Sequence, residues 1–329
     1  HLLTGFTIFA DWIGSNSDEK WFPVSLGFNP GGLEQRALDI LKRLGWGKSP
    51  KRGLSFGQLF NATNPNSFQP RPLQETLIDA ADSQGLYIVE APMGMGKTEA
   101  ALSTAYKRWT QGQERGLYFA LPTQLTSEKI HDRINKFLTN IVGEKDVQAL
   151  VHGNAWLRDD NTKVLTPRFL EKEGGTPENE HNDTEEVLHW FSGTRKALLA
   201  PFGTGTIDQA LLAVLPARFA ALRYFALAGK VVVIDEVHSY DPYVSALVDR
   251  LIHYLLKAGS TVIILSATLT ARRRASLVAA AGGKEEKPTT AYPLVTKVAA
   301  DSPTAQYFPV REKLEPKRIR LQHQYLKEE

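Results

Sequence analysis

A short apolar stretch followed by a glycine-rich turn constrains this chain more than any other feature of its sequence. Residues 86–91 read LYIVEA, which is typical of a buried strand, and PMGMGKT follows at residues 92–98. Residues 98–109 then have the pattern of a helix. Gly94 and Gly96 let backbone N–H groups turn inward without a Cβ in the way, and the helix N-terminus adds partial positive charge. This order predicts a loop that binds phosphate groups.

The side chains of the turn have expected roles in such a loop. Lys97 would place an ammonium group between the terminal phosphates of a nucleotide, and the Thr98 hydroxyl would ligate Mg²⁺. The expected nucleotide-binding residues of the turn are Met93, Gly94, Met95, Gly96, Lys97 and Thr98. The common form of this loop begins with glycine, whereas Ala91 stands at that position here. A glycine-bearing turn with a solvated lysine is the alternative interpretation.

Two adjacent carboxylates follow a second apolar stretch. Residues 231–234 read VVVI, which predicts a buried parallel strand, and Asp235 and Glu236 come directly after it. Adjacent carboxylates repel each other, which favours a cation near them. Asp235 is therefore the expected Mg²⁺ ligand, and Glu236 is expected to polarise or position the attacking water. A solvated turn at the end of a strand is the alternative.

The rest of the chain predicts an α/β fold. Apolar strands alternate with helical patterns from residue 73 onward, which is typical of a parallel sheet with helices on both faces. Further strands are expected at residues 116–121, 147–152, 197–200 and 261–266. Helices are expected at residues 1–14, 33–44, 73–81, 126–138, 206–223, 243–257 and 269–281, with an irregularity at Pro216 in the helix at residues 206–223. Irregular patterns cover residues 154–194 and 283–316, and residues 318–325 have the pattern of one more strand.

Composition excludes several classes of function. The 329-residue chain has no cysteine, which rules out a disulfide scaffold, a thiolate zinc site and a cysteine nucleophile. The net charge is only +3, so any binding of nucleic acid must depend on a local pattern of residues. The most apolar region, residues 210–234, is interrupted by charged residues and does not predict a membrane-spanning segment.

The motifs and their order resemble those of superfamily two helicases. The stretches APMGMGKT, ALPTQ, GTIDQ, IDEVH and LSATL are similar to helicase motifs I, Ia, Ib, II and III. The spelling DEVH, with PRPLQ upstream and LAGKVVVIDEVHSYDPY around it, resembles the CRISPR-associated helicase-nuclease of type I systems. The resemblance covers residues 1–300.

The resemblance implies a RecA-like helicase lobe that uses ATP and Mg²⁺ and moves along single-stranded DNA opened by an RNA-guided surveillance complex. Gln74 is then similar to the adenine-reading glutamine of the Q motif, and a glutamine on a helix surface is the alternative. The residues implied to hold the DNA backbone are Pro122, Thr123 and Gln124 in motif Ia and Gly205, Thr206 and Asp208 in motif Ib. Helix capping is the alternative for both motifs. The residues implied to couple nucleotide state to DNA are His238, Ser266 and Thr268, and the two hydroxyl residues are expected to bond to the acidic pair. The alternatives are a local hydrogen-bonding role for His238 and a helix N-cap at Thr268 or Thr270.

The opening residues resemble the last helix of the family's N-terminal HD nuclease domain. HLLTGFTIFADWIGS places Asp11 at the final aspartate of a transition-metal site, and an aspartate that caps a helix end or is solvated is the alternative. No His-Asp dipeptide precedes Asp11, and nothing after residue 300 resembles the arginine-bearing motif of a second lobe. The expected parts are the end of an HD domain, a linker, the first RecA-like lobe, and a linker or strand toward a second lobe, at residues 1–50, 51–72, 73–300 and 301–329.

The sequence therefore predicts part of a cytoplasmic ATP-dependent DNA translocase coupled to a metal-dependent nuclease, with no membrane partner. Two other functions remain open. One is a DEAH-like RNA helicase or another ATPase with a phosphate loop. The other is a lobe that binds nucleotide and a partner without turnover.

Overall fold

The computed structural model describes residues 1–15, 30–47, 49–60, 65, 68–122, 127–142 and 197–312. The predicted strands at residues 147–152 and 318–325 and the irregular stretch at residues 154–194 lie outside this part of the chain.

A mixed sheet forms the centre of the fold. Its strands are β1 (Gly85–Glu90), β2 (Leu117–Leu121), β3 (Phe202–Thr206), β4 (Val231–Ile234), β5 (Thr261–Ser266), β6 (Leu294–Ala299) and β7 (Gln306–Pro309). Their order across the seven-stranded sheet is β3-β2-β4-β5-β1-β6-β7. The strands from β1 to β5 pair in parallel, whereas β6 pairs antiparallel with β1 and β7 pairs antiparallel with β6.

Helices cover both faces of the sheet, as the sequence predicts. They are α1 (Leu2–Gly14), α2 (Pro30–Arg43), α3 (Phe56–Leu59), α4 (Pro72–Ala80), α5 (Lys97–Thr110), α6 (Ser127–Val142), α7 (Ile207–Leu211), α8 (Ala220–Leu227), α9 (Pro242–Lys257) and α10 (Ala271–Ala280). One apolar core layer lies between the sheet and α3 to α6, and the other lies between the sheet and the remaining helices. Among the described residues, no helix combines the length and apolar character needed to cross a membrane.

The structure differs from two predictions around residue 200. The strand expected at residues 197–200 is a 3₁₀-helix at Ala197–Leu199, and the strand follows at Phe202–Thr206 instead. The helix expected at residues 206–223 is two helices, and the break includes the predicted irregularity at Pro216, which cannot donate a backbone hydrogen bond. Phe219, just before the second helix, adopts a left-handed conformation with φ of 64°.

The stretch at residues 283–316 is not irregular throughout, because it contains β6 and β7. Thr296 and Lys297 interrupt the apolar pattern of β6, which hides the strand in the sequence. Lys297 is tolerated there because its Nζ lies 2.6 Å from Asp82 Oδ1. The sheet is therefore mixed rather than purely parallel, and it continues beyond residue 300.

Helix α1 shares its core with the sheet. The Phe9 ring stacks on Trp46 at 4.9 Å and lies 5.5 Å from the Phe225 ring of α8. Gly5 lies so close to α8 that a Cβ added to it would be 2.3 Å from the Ala221 carbonyl oxygen. The close contact between α1 and α8 therefore requires glycine at this position.

We expect Gly5→Ala to lower the free energy of unfolding by about 1–3 kcal/mol, because the new methyl group must push α1 away from α8. Gly14→Ala, in the same helix, is the matched control, since a Cβ there meets nothing within 4 Å. Urea unfolding of both variants measures the difference. Equal stability of the two variants would contradict the packing of α1 described above.

Lys230 is a buried lysine at the start of β4. Its Nζ donates hydrogen bonds to the carbonyl oxygens of Leu198 at 2.9 Å and Ala200 at 2.6 Å. Burial lowers the pKa of Lys230 to about 7. These bonds hold the 3₁₀-helix that leads into β3.

We expect the stability of the protein to depend on pH through Lys230. The folded-state pKa is lowered, so above pH 7 the unfolded chain binds more protons at this residue and stability rises with pH. The free energy of unfolding should therefore increase by about 2 kcal/mol from pH 7 to pH 9. Lys230→Met, measured in the same urea titrations, should lack this increase. The same pH dependence in both proteins would show that Lys230 remains charged when buried.

Candidate nucleotide-binding site

The glycine-rich turn lies between β1 and α5, as the sequence predicts. Gly94 and Gly96 have φ values of 84° and 76°, a left-handed conformation that glycine adopts without steric cost. Helix α5 begins at Lys97, so its N-terminal N–H groups point toward the turn. The turn therefore has the backbone conformation and the helix position that phosphate binding requires.

Two side chains at the start of α4 donate hydrogen bonds to carbonyl oxygens of this turn. Arg71 Nη1 donates to the Gly94 carbonyl at 2.8 Å, and Gln74 Nε2 donates to the Gly96 carbonyl at 3.3 Å. Gln74 Oε1 also accepts from the Arg71 backbone N–H at 2.8 Å, and its side chain is buried. The sequence predicts Gln74 at the nucleotide but gives no indication that both ends of its amide bond within the protein.

Lys97 faces the acidic pair from the other side of the site. Its Nζ donates to the carbonyl oxygens of Ala91 at 2.6 Å and Pro92 at 3.2 Å. Burial lowers the pKa of Lys97, and the charges of Asp235 and Glu236 oppose this shift. The ammonium group therefore lies within electrostatic reach of both carboxylates.

The acidic pair follows β4 in a constrained conformation. The Glu236 backbone N–H donates to Asp235 Oδ1 at 2.9 Å, and Glu236 itself has a left-handed φ of 53°. Such a conformation is uncommon for a residue other than glycine and clusters at functional sites. Burial raises the pKa of Asp235 to about 6. A half-buried carboxylate next to a second acid fits a divalent cation, and Thr98 lines the same cavity.

Strand β5 lies between the strands that carry the phosphate loop and the acidic pair, and Ser266 ends it. His238 Nδ1 lies 3.1 Å from Ser266 Oγ, which in turn donates to the Thr268 carbonyl at 2.9 Å. The three residues predicted to act together are therefore in contact. The serine hydroxyl reaches His238 rather than the acidic pair, and Thr268 takes part through its backbone oxygen.

A cavity of about 540 Å³ lies between the phosphate loop, the start of α4 and the acidic pair. Its lining includes the predicted residues Gln74, Met93, Gly94, Gly96, Lys97, Thr98, Asp235 and Glu236. It also includes residues that sequence reasoning missed, namely Phe60, Phe68, Gln69, Arg71, Glu99 and Arg133. Of these, Arg71 belongs to the same PRPLQ stretch as Gln74, whereas no motif marks the others. Met95 is also predicted to bind nucleotide, but it does not line the cavity, because its side chain is buried in the apolar core.

The described residues among those predicted to hold DNA lie along the same edge of the sheet. Pro122 follows β2, Thr206 ends β3, and these two strands pair in register. Gly205 lies within β3, and Asp208 is exposed on α7. Thr123 and Gln124 lie outside the described residues. Because parallel strands have their carboxyl ends on one edge, this region continues from the acidic pair along the sheet.

Asp11 lies apart from these residues. It is exposed on α1, and the described part of the chain contains no group of three or more His, Cys, Asp or Glu residues that could hold a metal ion. The structure therefore does not place Asp11 beside other metal ligands among the described residues.

Comparison with known proteins identifies the family. Residues 71–277 match the DEAD/DEAH box helicase model, and the chain belongs to this family. The chain is 38% identical over 275 residues to the CRISPR-associated endonuclease/helicase Cas3 of Thermus thermophilus, covering 79% of this chain and 28% of that protein. It is 36% identical over 277 residues to the CRISPR-associated nuclease/helicase Cas3 of Streptococcus thermophilus, covering 81% and 29%. The chain thus spans less than a third of the length of these curated relatives.

Solved structures agree with this assignment. A crystal structure of a CRISPR-associated protein superposes with a TM-score of 0.71 at 32% identity, covering 94% of this chain and 36% of that chain. The T. fusca Cas3–AMPPNP structure also gives 0.71, at 28% identity, covering 96% and 36%. The sheet and its helices therefore form a RecA-like helicase fold, as the sequence predicts.

We expect Lys97→Ala to weaken the binding of ATP by about 10- to 100-fold, because a charge-assisted contact to phosphate is lost. Lys107→Ala is the matched control, since Lys107 lies on the same helix and donates instead to the Ile78 carbonyl. Titration with a fluorescent ATP analogue measures both, and circular dichroism checks that the fold is unchanged. Unchanged affinity in Lys97→Ala would mean that nucleotide does not bind at this loop.

Proposed function

We propose that this chain is the first RecA-like lobe of an ATP-dependent helicase that acts in CRISPR interference. The observation that carries the proposal is that Lys97, Asp235 and Glu236 line one cavity, at the carboxyl ends of parallel strands. The family match and the similarity to Cas3 proteins support it. The similarity to T. fusca Cas3 structures described with AMPPNP and with ATP supports nucleotide as the ligand.

In the proposed site, the phosphates of ATP lie on the loop at residues 92–98. Lys97 would leave the carbonyl oxygens of Ala91 and Pro92 and bind the terminal phosphates. Thr98 and Asp235 would hold Mg²⁺, which neutralises charge on the phosphates when it is bound. Glu236 would accept a hydrogen bond from the attacking water and orient it toward the γ-phosphate. Met93 is exposed and lines the cavity. Gln74 also lines it, and we propose that Gln74 reads the adenine base.

Nucleotide state would reach the nucleic acid through β5. His238 follows the acidic pair and contacts Ser266, so a shift of the pair would move the turn after β5. Single-stranded DNA would bind along the edge formed by Pro122, Gly205, Thr206 and Asp208, with Thr123 and Gln124 included in this proposal. Backbone contacts of this kind position the strand without reading its sequence.

Hydrolysis is expected to need a second lobe. Arginine fingers neutralise charge in the transition state, and their loss slows related reactions by about 10³–10⁵-fold. A lobe that binds nucleotide without turnover is therefore the second candidate function for the isolated chain.

We further propose that Asp11 belongs to the transition-metal site of an HD nuclease. The parts of the chain are proposed to divide at residues 50, 72 and 300. The whole protein is proposed to act in the cytoplasm.

The surveillance complex is the proposed protein partner. A chain in a structure described as a CRISPR RNA-guided surveillance complex before nicking gives a TM-score of 0.58 at 28% identity, covering 93% of this chain and 31% of that chain. This similarity supports, for the present chain, a role after RNA-guided opening of DNA.

Asp235→Asn tests the proposed Mg²⁺ site. In the wild-type protein, we expect EDTA to weaken ATP binding by about tenfold, because the metal links the carboxylate to the phosphates. Asp235→Asn should bind ATP equally weakly with and without EDTA. Asp208→Asn, an exposed acid on the same edge, should behave as the wild type. A full EDTA effect in Asp235→Asn would place the metal elsewhere.

The choice of nucleic acid tests the wider proposal. Fluorescence anisotropy should show tighter binding to a single-stranded DNA than to an RNA of the same sequence, with ATP hydrolysis by this chain remaining slow. A preference for RNA would favour an RNA helicase. Strong DNA-stimulated hydrolysis by this chain alone would show that a second lobe is not required.

A further inference from the structure

A buried ion pair lies one residue before the phosphate loop. Glu90 ends β1, and Arg274 lies on α10, the helix that follows β5. Their side chains are 4% and 8% exposed, and Arg274 Nε lies 2.8 Å from Glu90 Oε2. Nη2 of the same arginine donates to Glu90 Oε1 over 3.4 Å. Burying two charges costs desolvation energy that apolar residues would avoid, so stability alone does not account for the pair.

The pair is linked to the lysine of the loop through the neighbouring residue, Ala91. Ala91 follows Glu90, and its carbonyl oxygen accepts the 2.6 Å hydrogen bond from Lys97 Nζ. The Ala91 backbone N–H donates to the Ser266 carbonyl at 3.1 Å. When Lys97 turns to a phosphate, the peptide between Ala91 and Pro92 loses a charge-assisted bond and can shift.

The pair is also linked to the segment that precedes β6. Arg274 Nη1 donates to the Thr289 carbonyl at 2.7 Å. The Tyr292 hydroxyl donates to the Ala267 carbonyl at 2.7 Å, in the turn that follows Ser266. Residues 289–293 are thus attached both to Arg274 and to the turn after β5.

We propose that Glu90 and Arg274 are positioning residues that link nucleotide binding at the phosphate loop to the segment at residues 289–293. This inference rests on the proposed function, because it requires nucleotide to bind at Lys97. Glu90 fixes the peptide from which Lys97 departs, and Arg274 passes the resulting shift to Thr289. The two side chains act through Ala91 and do not touch the nucleotide themselves.

Neighbouring arginines on α10 provide a matched test. Arg274→Gln breaks the pair with Glu90, whereas Arg273→Gln breaks a pair with Asp249 of α9 that has an N–O distance of 2.7 Å. We expect Arg274→Gln to weaken binding of ATP with Mg²⁺ by about tenfold, and Arg273→Gln to change it by less than about twofold. Arg274→Lys keeps the charge and should recover most of the affinity. Titration with a fluorescent ATP analogue measures all three.

A second readout separates positioning from a purely structural role. In the wild-type protein and in Arg273→Gln, a non-hydrolysable ATP analogue should change hydrogen exchange at residues 289–293. In Arg274→Gln, at a saturating concentration of the analogue, this change should be absent. A lowered melting temperature with unchanged affinity and an unchanged exchange response would overturn the inference.

The control at Lys97 keeps this inference distinct from the proposed function. If Lys97→Ala weakens ATP binding while Arg274→Gln and Arg273→Gln behave alike, the positioning role is refuted and the nucleotide site stands. If Lys97→Ala leaves the affinity unchanged, the proposed function fails and the inference fails with it. Glu90→Gln carries the same test if Arg274→Gln does not fold, with the same tenfold loss expected.

Discussion

Parallel pairing of β4, β5 and β1 is the constraint on which the candidate site depends. Each of these strands is fully buried, and each ends at the same edge of the sheet. Glu90 pairs with Ser266, so the phosphate loop and the turn after β5 leave the sheet side by side. The acidic pair leaves the sheet one strand further along. Backbone pairing, rather than contacts between the functional side chains, therefore brings three separate parts of the sequence together.

The sequence predicts these three strands well because each is a short apolar stretch followed by a polar motif. It predicts other strands poorly where that pattern fails. Strand β3 reads FGTGT, and glycine and threonine there resemble a turn more than a buried strand. Strand β6 carries Lys297, whose charge is offset by Asp82, a residue 215 positions away. A partner so distant in sequence leaves no local pattern, so the strand cannot be found from its own residues.

The candidate site shows the same division between what sequence can and cannot predict. Spacing identifies Lys97, Asp235 and Glu236 because their chemistry needs those residue types at the ends of strands. It does not show which atoms bond to each other. Ser266 reaches His238, Gln74 bonds to the backbone at both ends of its amide, and Met95 turns into the core. These outcomes depend on how α4, β4 and β5 pack, which only the three-dimensional fold determines.

Helix α1 packs against the central sheet at a distance from the nucleotide site in sequence. Its buried residues belong to the same apolar core as α7, α8 and β4, so it is packed onto the sheet. Trp46 strengthens this packing, because its indole N–H donates to the Leu199 carbonyl at 3.1 Å, just before β3. Strand β3 carries two of the residues proposed to hold DNA, Gly205 and Thr206. Trp46 therefore ties α1 to the start of β3, because it stacks on Phe9 and bonds to Leu199, just before the strand, in one close-packed layer.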